Sequence, residues 1–432
     1  MRNKYRDRLE KCLSCIADPN GEGARACLTV YADAARAAAD AADARAHFEM
    51  RLGSLDGAIV TIKDSFDVAG EVTRAGSKTL ADLGLRATAD APVVRRLREA
   101  GAIVVAKTNM TEFAYNGIGI NPHFGTPRNP TDRARVPGGS SSGGAVAVAD
   151  DFCEIAIGTD TGGSTRIPAA LCGIVGFKPS RQRIPTEGLF PLSYTLDSIG
   201  PMARSVEDCA RADAIMAGEK QISVNPAPIV GLRLGILEGF PVQDLDATVG
   251  SRFSWAIDCL SKAGARITHE DIALIDVMSD VNRRGGITPP EAFSILRKHL
   301  AGTVVNVDED ARRRIERRGQ MLAADYIQIL RERLELVKAM DQQLVDLDAL
   351  VMPTVPIVAP RLEEVEARDG FSSRNAALMR TTIIANFFDM CAISLPLPRD
   401  GGLPVGLMLA GPNGEDRKLL RIAAAIEKLF NA

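Results

Sequence analysis

Ala58-Ile59-Val60-Thr61-Ile62 is a short apolar, β-branched run, preceded by Asp56-Gly57 and closed by Lys63-Asp64-Ser65. Such a run between turn residues predicts a buried strand that ends on charged side chains. Further on, Asp90-Ala91-Pro92 supplies a cap and an early proline, Val93 to Ala100 continues as a helix, and Gly101 stops it. A second buried strand, Ala102-Ile103-Val104-Val105-Ala106, closes on Lys107-Thr108-Asn109. This strand, helix, strand alternation predicts an α/β protein with much parallel pairing.

The pattern extends outward from there. Upstream, the first fifty residues read as helical, and Leu28 to Met50 is Ala-rich with Asp and Arg spaced along it, as on a surface helix. Downstream, Arg128 to Pro137 is rich in Pro, Asn and Asp and reads as a loop. It delivers the chain into Gly138-Gly139-Ser140-Ser141-Ser142-Gly143-Gly144. Ala145 to Ala149 then starts a tightly packed helix, and Cys153-Glu154-Ile155-Ala156-Ile157 reads as a third strand. The loop after it is Gly158-Thr159-Asp160-Thr161-Gly162-Gly163-Ser164-Thr165-Arg166, with a helix beginning near Ser164 or Thr165. Phe177-Lys178-Pro179 and Gly200-Pro201 read as turns.

In the second half, Leu232 to Leu237 and Asp348 to Pro353 read as strands, and Cys391 to Leu395 with Val405 to Leu409 as a late strand pair. Helices are expected from Ala247 to Ala263, Pro290 to Leu300, Asp308 to Asp346 and Glu415 to Leu429.

The 432 residues are 46% hydrophobic and 25% charged, enough for a substantial core. A net charge of -3 without long blocks of either sign gives no electrostatic case for nucleic acid or an anionic membrane. The N-terminal stretch has basic residues but no apolar core behind them, and no apolar run is long enough to span a bilayer. A soluble, cytoplasmic protein is expected. The eight cysteines are scattered; Cys12-Leu13-Ser14-Cys15 has CxxC spacing but lies in a charged helical stretch, and no second pair completes a zinc site. His47, His123, His269 and His299 are too dispersed for a metal centre. No metal or cofactor is expected.

The two Ser/Gly clusters carry the chemistry. Glycine lets the backbone approach a ligand and turn its N–H groups toward one point, and serine supplies a hydroxyl that is nucleophilic once a base takes its proton. Gly139-Ser140-Ser141-Ser142-Gly143 matches the GxSxG nucleophile elbow, which would make Ser141 the nucleophile of an α/β-hydrolase-type esterase. That elbow needs a strand directly before it and a later histidine, whereas a Pro-rich loop precedes it here. Gly70 to Thr79 resembles a phosphate loop only faintly, with the spacing one residue too long. What remains is a serine served by lysine, which is a competent base once burial lowers its pKa. Lys63, at the end of an apolar strand, is the candidate. By itself it is more plainly a strand-end lysine paired with Asp64 or Asp67.

Val60 to Asp67, Pro137 to Gly143 and Gly158 to Arg166 together resemble the amidase signature hydrolases, as do Lys107 to Phe113, Met352-Pro353-Thr354 and Leu403 to Leu407. The resemblance runs from about Gly53 to the end. It implies a single compact α/β/α domain over residues 1–432, with a large mixed, mostly parallel central sheet flanked by helices and residues 1–52 packed on it as a helical segment. It also implies a catalytic trio of Lys63, Ser140 and Ser164, with a cis peptide bond at Ser140. Thr161, Gly162, Gly163 and Ser164 would form the oxyanion hole, and Ser141, Asp160 and Arg166 would support them. Gly144 stands where serine is common in the family, a change confined to local packing.

The expected activity is hydrolysis of a small-molecule carboxylic amide through an acyl-Ser164 intermediate, as in linear amidases. The alternative is the amidase subunit of a tRNA-dependent amidotransferase, acting as a glutaminase. Met110, Phe113, Tyr115, Gly139 and Tyr194, with Ile118 and Phe190, are candidate substrate contacts. By the resemblance, the substrate wall would come largely from Phe113 to Asn121, Ser193 to Leu196 and the helical stretch from about Asp280 to Ile329. Arg283, Arg284 and Arg380 are candidates for reading a carboxylate. The sequence leaves a homodimer open as the assembly.

Overall fold

The computed structural model describes residues 4–219, 224–300, 307–316 and 321–431. Its strands are β1 (Cys27–Val30), β2 (Ile59–Lys63), β3 (Ile103–Thr108), β4 (Ile155–Asp160), β5 (Val175–Lys178), β6 (Ser198–Ala203), β7 (Arg233–Leu237), β8 (Arg266–Glu270), β9 (Ala349–Pro353), β10 (Cys391–Pro396) and β11 (Gly406–Gly411). They join in one eleven-stranded sheet of order β1-β3-β2-β4-β6-β5-β10-β11-β9-β7-β8.

The sheet is mixed, with helices on both faces, but it is not mostly parallel. Among the described residues, parallel ladders occur only in the β3-β2-β4 and β9-β7-β8 groups; the edge strand β1 and everything from β4 through β9 pair antiparallel. The difference comes from β5 and β6, where Phe177-Lys178 and Gly200-Pro201 read as turns in the sequence. Both segments are buried along their whole length, and Ile157 of β4 faces Pro201 directly in an antiparallel ladder. Burial on both faces outweighs the turn tendency of glycine and proline there. Leu28 to Met50 likewise divides. Cys27–Val30 forms β1 against β3, and the helix runs only over Ala32–His47.

Pleating decides which core each side chain enters. On β2, Val60 and Ile62 join a core with Ile155, Ile157, Phe177 and the C-terminal helix Asp416–Phe430. Ile59 joins the opposite core with Ile103, Val105, Ala145 to Val148 and the helices Lys4–Ala17 and Ala32–His47, so the N-terminal segment packs directly on the sheet. Lys63 shares the Ile59 and Thr61 register, so it points to the face covered by the helix Ser142–Ala149, whose first residue follows Ser140-Ser141. The other expected helices and strands of the second half are present, as Ala247–Lys262, Thr288–Leu300, Glu309–Glu316, Ala323–Gln343, Asp416–Phe430, β7, β9, β10 and β11. Residues 301–306 and 317–320, part of the stretches read as helix or substrate wall, lie outside the described residues.

Candidate active site

Strand β2 carries Lys63 to a position with no solvent exposure, where its Nζ lies 2.8 Å from Ser140 Oγ and 2.7 Å from Thr159 Oγ1. The carboxylates next to it in sequence are engaged elsewhere. Asp64 pairs with Lys107 at 2.8 Å and Arg74 at 3.5 Å, and Asp67 accepts from Thr73 at 2.6 Å. Burial lowers the Lys63 pKa to about 7, although the negative fields of Asp197 and Asp160 work against that shift. A neutral amine has two N–H donors and one lone pair, so it can donate to Thr159 while accepting from Ser140.

The Gly139–Ser140 peptide bond is cis. The Ser140 carbonyl accepts from Thr111 N at 3.1 Å, and the next residue's N–H, that of Ser141, donates to the Ser164 carbonyl at 3.3 Å. The two Ser/Gly segments are therefore tied backbone to backbone. Ser141 Oγ is buried and donates to the Thr159 carbonyl at 3.4 Å. It comes that close because Gly158 has no side chain; a Cβ there would stand 2.7 Å from Ser141 Oγ. Histidine is not what surrounds Ser141: His123 faces Glu112, His269 pairs with Glu238, and His299 lies against Phe190. Gly144 packs on Met202 and Ala156, and a Cβ would meet them at 3.0 and 3.2 Å.

Asp160 shapes the loop that follows β4. Its carboxylate accepts from Gly163 N (2.8 Å), Thr165 N (3.1 Å), Thr165 Oγ1 (2.8 Å) and Asn386 Nδ2 (2.9 Å), and pairs with Arg166 at 2.8 Å. Burial opposes its charge, yet the Arg166 guanidinium and these donors hold it well below the usual carboxylate range. Arg166, also fully buried, continues to the Thr382 carbonyl at 2.9 Å and Asn386 Oδ1 at 2.7 Å. The sequence motif contains Asp160 and Arg166, but nothing local announces Thr382 and Asn386, which reach the loop from more than two hundred residues away.

This network changes one expectation. The Gly163 N–H is committed to Asp160, and Gly163 takes a left-handed φ of 126° with Thr382 Oγ1 only 2.3 Å from where a Cβ would be. Of the four expected oxyanion residues, Thr161, Gly162 and Ser164 line the adjoining cavity. Thr161 Oγ1 donates to Asp197 at 2.6 Å, and burial pushes the Asp197 carboxyl up to about 6. Thr159 lies within the Gly158 to Arg166 motif but is given no role by it, and Asp197 is a polar neighbour of the site that no sequence motif contains.

Thr161, Gly162 and Ser164 open into a cavity of about 340 Å³. Its walls include Tyr115, Ile167, Leu192, Leu196, Ile287 and Phe387. Among the expected substrate contacts, only Tyr115 lines it. Met110 and Phe113 are core residues packed with Ala75 and Leu80, and Phe190 stacks on Phe113 at a centroid distance of 6.0 Å. Ile118 belongs to a separate core with Val136 and Ile167. Gly139 is held against Gly117 by its N–H, and Tyr194 is exposed on the outside. Arg283 and Arg284 pair with Asp280, while Arg380 donates to the carbonyls of Pro241 and Gln243. The left-handed backbone at Phe113 and Ala114 (φ 51° and 60°) turns Phe113 inward and brings Ala114 and Tyr115 to the cavity.

Residues 21–420 match the family model described as Amidase. The chain is 36% identical to the 2-amino-5-chloromuconic acid deaminase of Comamonas testosteroni, over 92% of this chain and 86% of that protein. It is 32% identical to the A subunit of the glutamyl-tRNA(Gln) amidotransferase of Acidobacterium capsulatum, over 98% and 95% respectively. A crystal structure of an amidase superposes with a TM-score of 0.88 at 33% identity, covering 99% of this chain and 96% of the other. No described helix is long and apolar enough to cross a membrane. With its buried lysine beside a Ser/Gly loop, its mixed sheet and this likeness over nearly its full length, the chain belongs to the amidase family of hydrolases acting on carbon–nitrogen bonds.

Proposed function

We propose that this chain hydrolyses a small-molecule carboxylic amide to a carboxylate and ammonia or an amine, with Ser164 as nucleophile and Lys63 and Ser140 as its proton relay. The observation that carries the reading is the 2.8 Å approach of a fully buried Lys63 amine, its pKa lowered to about 7, to the Ser140 hydroxyl. A base poised near neutrality abstracts and returns protons at comparable cost. Lys63 draws a proton from Ser140, Ser140 draws one from Ser164, and Ser164 Oγ attacks the amide carbonyl. The N–H groups of Thr161, Gly162 and Ser164 receive the developing oxyanion, each such donor contributing roughly 3 kcal/mol. Ser140 then hands its proton to the leaving nitrogen, which cannot depart as an amide anion. Water, activated by the same relay, releases the acid. Ser141, Asp160 and Arg166 hold the two loops in place.

Acting as one amidase domain over residues 1–432 in the cytoplasm, alone or as a homodimer, the chain needs only its small-molecule substrate. The cavity of about 340 Å³ is consistent with that. A second reading, as the glutaminase subunit of a tRNA-dependent amidotransferase, is favoured by the Acidobacterium relative that aligns over 98% of this chain. A panel of aliphatic, aryl and dicarboxylic monoamides, read by ammonia release, distinguishes the two. Release from glutamine alone, with a co-purifying partner, selects the second. A fluorophosphonate probe tests the relay: labelling is expected at Ser164 and lost in Lys63→Ala, whereas labelling at Ser141 would make the enzyme an elbow-type esterase.

A further inference from the structure

Asn116 stands on the cavity wall between Tyr115 and Gly117, and the backbone beside it is pinned on both sides. The Gly117 N–H donates to Asn375 Oδ1 at 2.8 Å, and the Gly117 carbonyl accepts from Gly139 N at 2.8 Å, next to the cis bond that precedes Ser140. A Cβ on Gly117 would stand 3.4 Å from Met379 Cγ, and one on Gly162 would stand 2.8 Å from Met379 Cε. The Asn116-Gly117 step therefore lies close to both the Ser140 segment and the Gly162 loop.

Only half of the Asn116 carboxamide is engaged. Its Oδ1 accepts from Ile118 N at 3.1 Å and Gly119 N at 3.0 Å. Two N–H groups converging on one atom fix that atom as the oxygen, because an NH₂ turned toward them would set donor against donor. The Nδ2 is then the other end of a carboxamide that cannot flip, and it makes no hydrogen bond among the described residues and is not buried. An amide NH₂ only donates. The Thr288 hydroxyl, also on the wall, can donate or accept and so imposes no sign, while Arg314 already donates to the Tyr115 carbonyl. A ligand that displaces water from the cavity without offering Nδ2 an acceptor leaves a polar group unpaired, which costs affinity.

We propose that Asn116 is a specificity-determining residue whose Nδ2 donates to a second oxygen of the substrate, so that the preferred substrates are short amides that also carry a ketone-type or carboxylate acceptor. This rests on the amidase reading above and names the substrate class of the same site. The cavity of about 340 Å³ has room for such a molecule.

The test uses straight-chain primary amides with a ketone at the third, fourth or fifth carbon. Each is paired with the isostere in which a methylene group replaces the ketone oxygen, and kcat/KM is read by ammonia release. Wild type is expected to prefer the ketone in at least one pair by roughly three- to tenfold, the worth of one neutral hydrogen bond. Asn116→Asp keeps an acceptor for the Ile118 and Gly119 N–H groups and removes only the donor, so it should reverse that preference. Asn116→Ala should bring the ratio to about one. Each ratio compares two substrates of one variant, so a common effect on the relay or on loop packing cancels. No ketone preference in any pair, or a preference that survives unchanged in Asn116→Asp, overturns the proposal. Failure to release ammonia from every pair while Ser164 still takes the fluorophosphonate label overturns it too and leaves the amidase reading standing. If Ser164 takes no label and no amide of the broader panel is hydrolysed, the amidase reading fails and the Asn116 assignment falls with it.

Discussion

The two ends of the cavity are built in different ways. At the end proposed to react, Lys63, Ser140, Thr159 and Ser164 come from two neighbouring parallel strands and the two Ser/Gly segments beside them, all within about one hundred residues. At the substrate end, Tyr115, Leu196, Ile287, Arg314 and Phe387 come from separate elements spread over more than twice that length. The reacting end is held by buried, directional bonds, Asp160 alone tying together four residues of loop and helix. The substrate end is held mostly by apolar packing, which tolerates exchange. The contrast implies that chemistry is fixed by a few irreplaceable hydrogen bonds, and selectivity by walls that can change one at a time.

The strongest way to break that contrast is at the relay. Lys63→Ala or Ser164→Ala should lower kcat by about 10⁴-fold, measured by ammonia release, and the double variant should be little worse than either single one. Near-wild-type turnover in Lys63→Ala would end the case for this base. Next comes the loop. Asp160→Ala strands the buried Arg166 charge and should cost about 3–5 kcal/mol in denaturant unfolding, far more than any substitution in the cavity wall.

The pH response sharpens the comparison further. The proposed relay needs a neutral Lys63, so kcat/KM should rise through a single ionisation near pH 7 and level off above it. Because the folded-state pKa lies below the ordinary 10.5, the unfolded chain binds more protons between about 7 and 10.5, and stability should increase with pH across that window. Lys63→Met should remove its share of that slope and leave the part between about 8 and 10.5 that the buried Lys178, lowered to about 8, contributes. Asp197 acts in the opposite sense at lower pH: with its pKa raised to about 6, its contribution is present below the ordinary 3.8 and lost as pH rises through 6.

Thr159→Val, which deletes one of the two partners of the Lys63 amine, should cost about tenfold in kcat. In the wall, Leu196→Ala should raise KM by less than about tenfold with kcat little changed, and by different factors for different acyl chains. A loss in kcat as large as that of Thr159→Val would erase the distinction between the two ends. Arg283→Ala, on the surface beside Asp280, should stay within about 0.5 kcal/mol of wild type in stability.

How much of this was legible in the sequence follows the same division. The β2 run, the β3 run and the Ser/Gly clusters could be read because each carries its signal in consecutive residues. Strand β6 was missed because Gly200-Pro201 is locally a turn signal, and only its burial between β4 and β5 makes it a strand. Gly163 was expected to serve the oxyanion, since the motif shows its backbone but not that Asp160 claims its N–H. Phe113 looked like a pocket residue, and its left-handed backbone, invisible in the sequence, turns it into the core instead.

The sequence by itself determined the α/β class, the strand that carries Lys63 and the two serine loops, because strand period and glycine-rich turns are local properties of the chain. Only the tertiary structure decided that Lys63 turns from Asp64 to Ser140 and Thr159, that the sheet is largely antiparallel through its middle, and that Arg314 reaches the same cavity as Ser164. Those outcomes depend on which buried groups find partners across long stretches of chain, and burial, unlike periodicity, is not written in neighbouring residues.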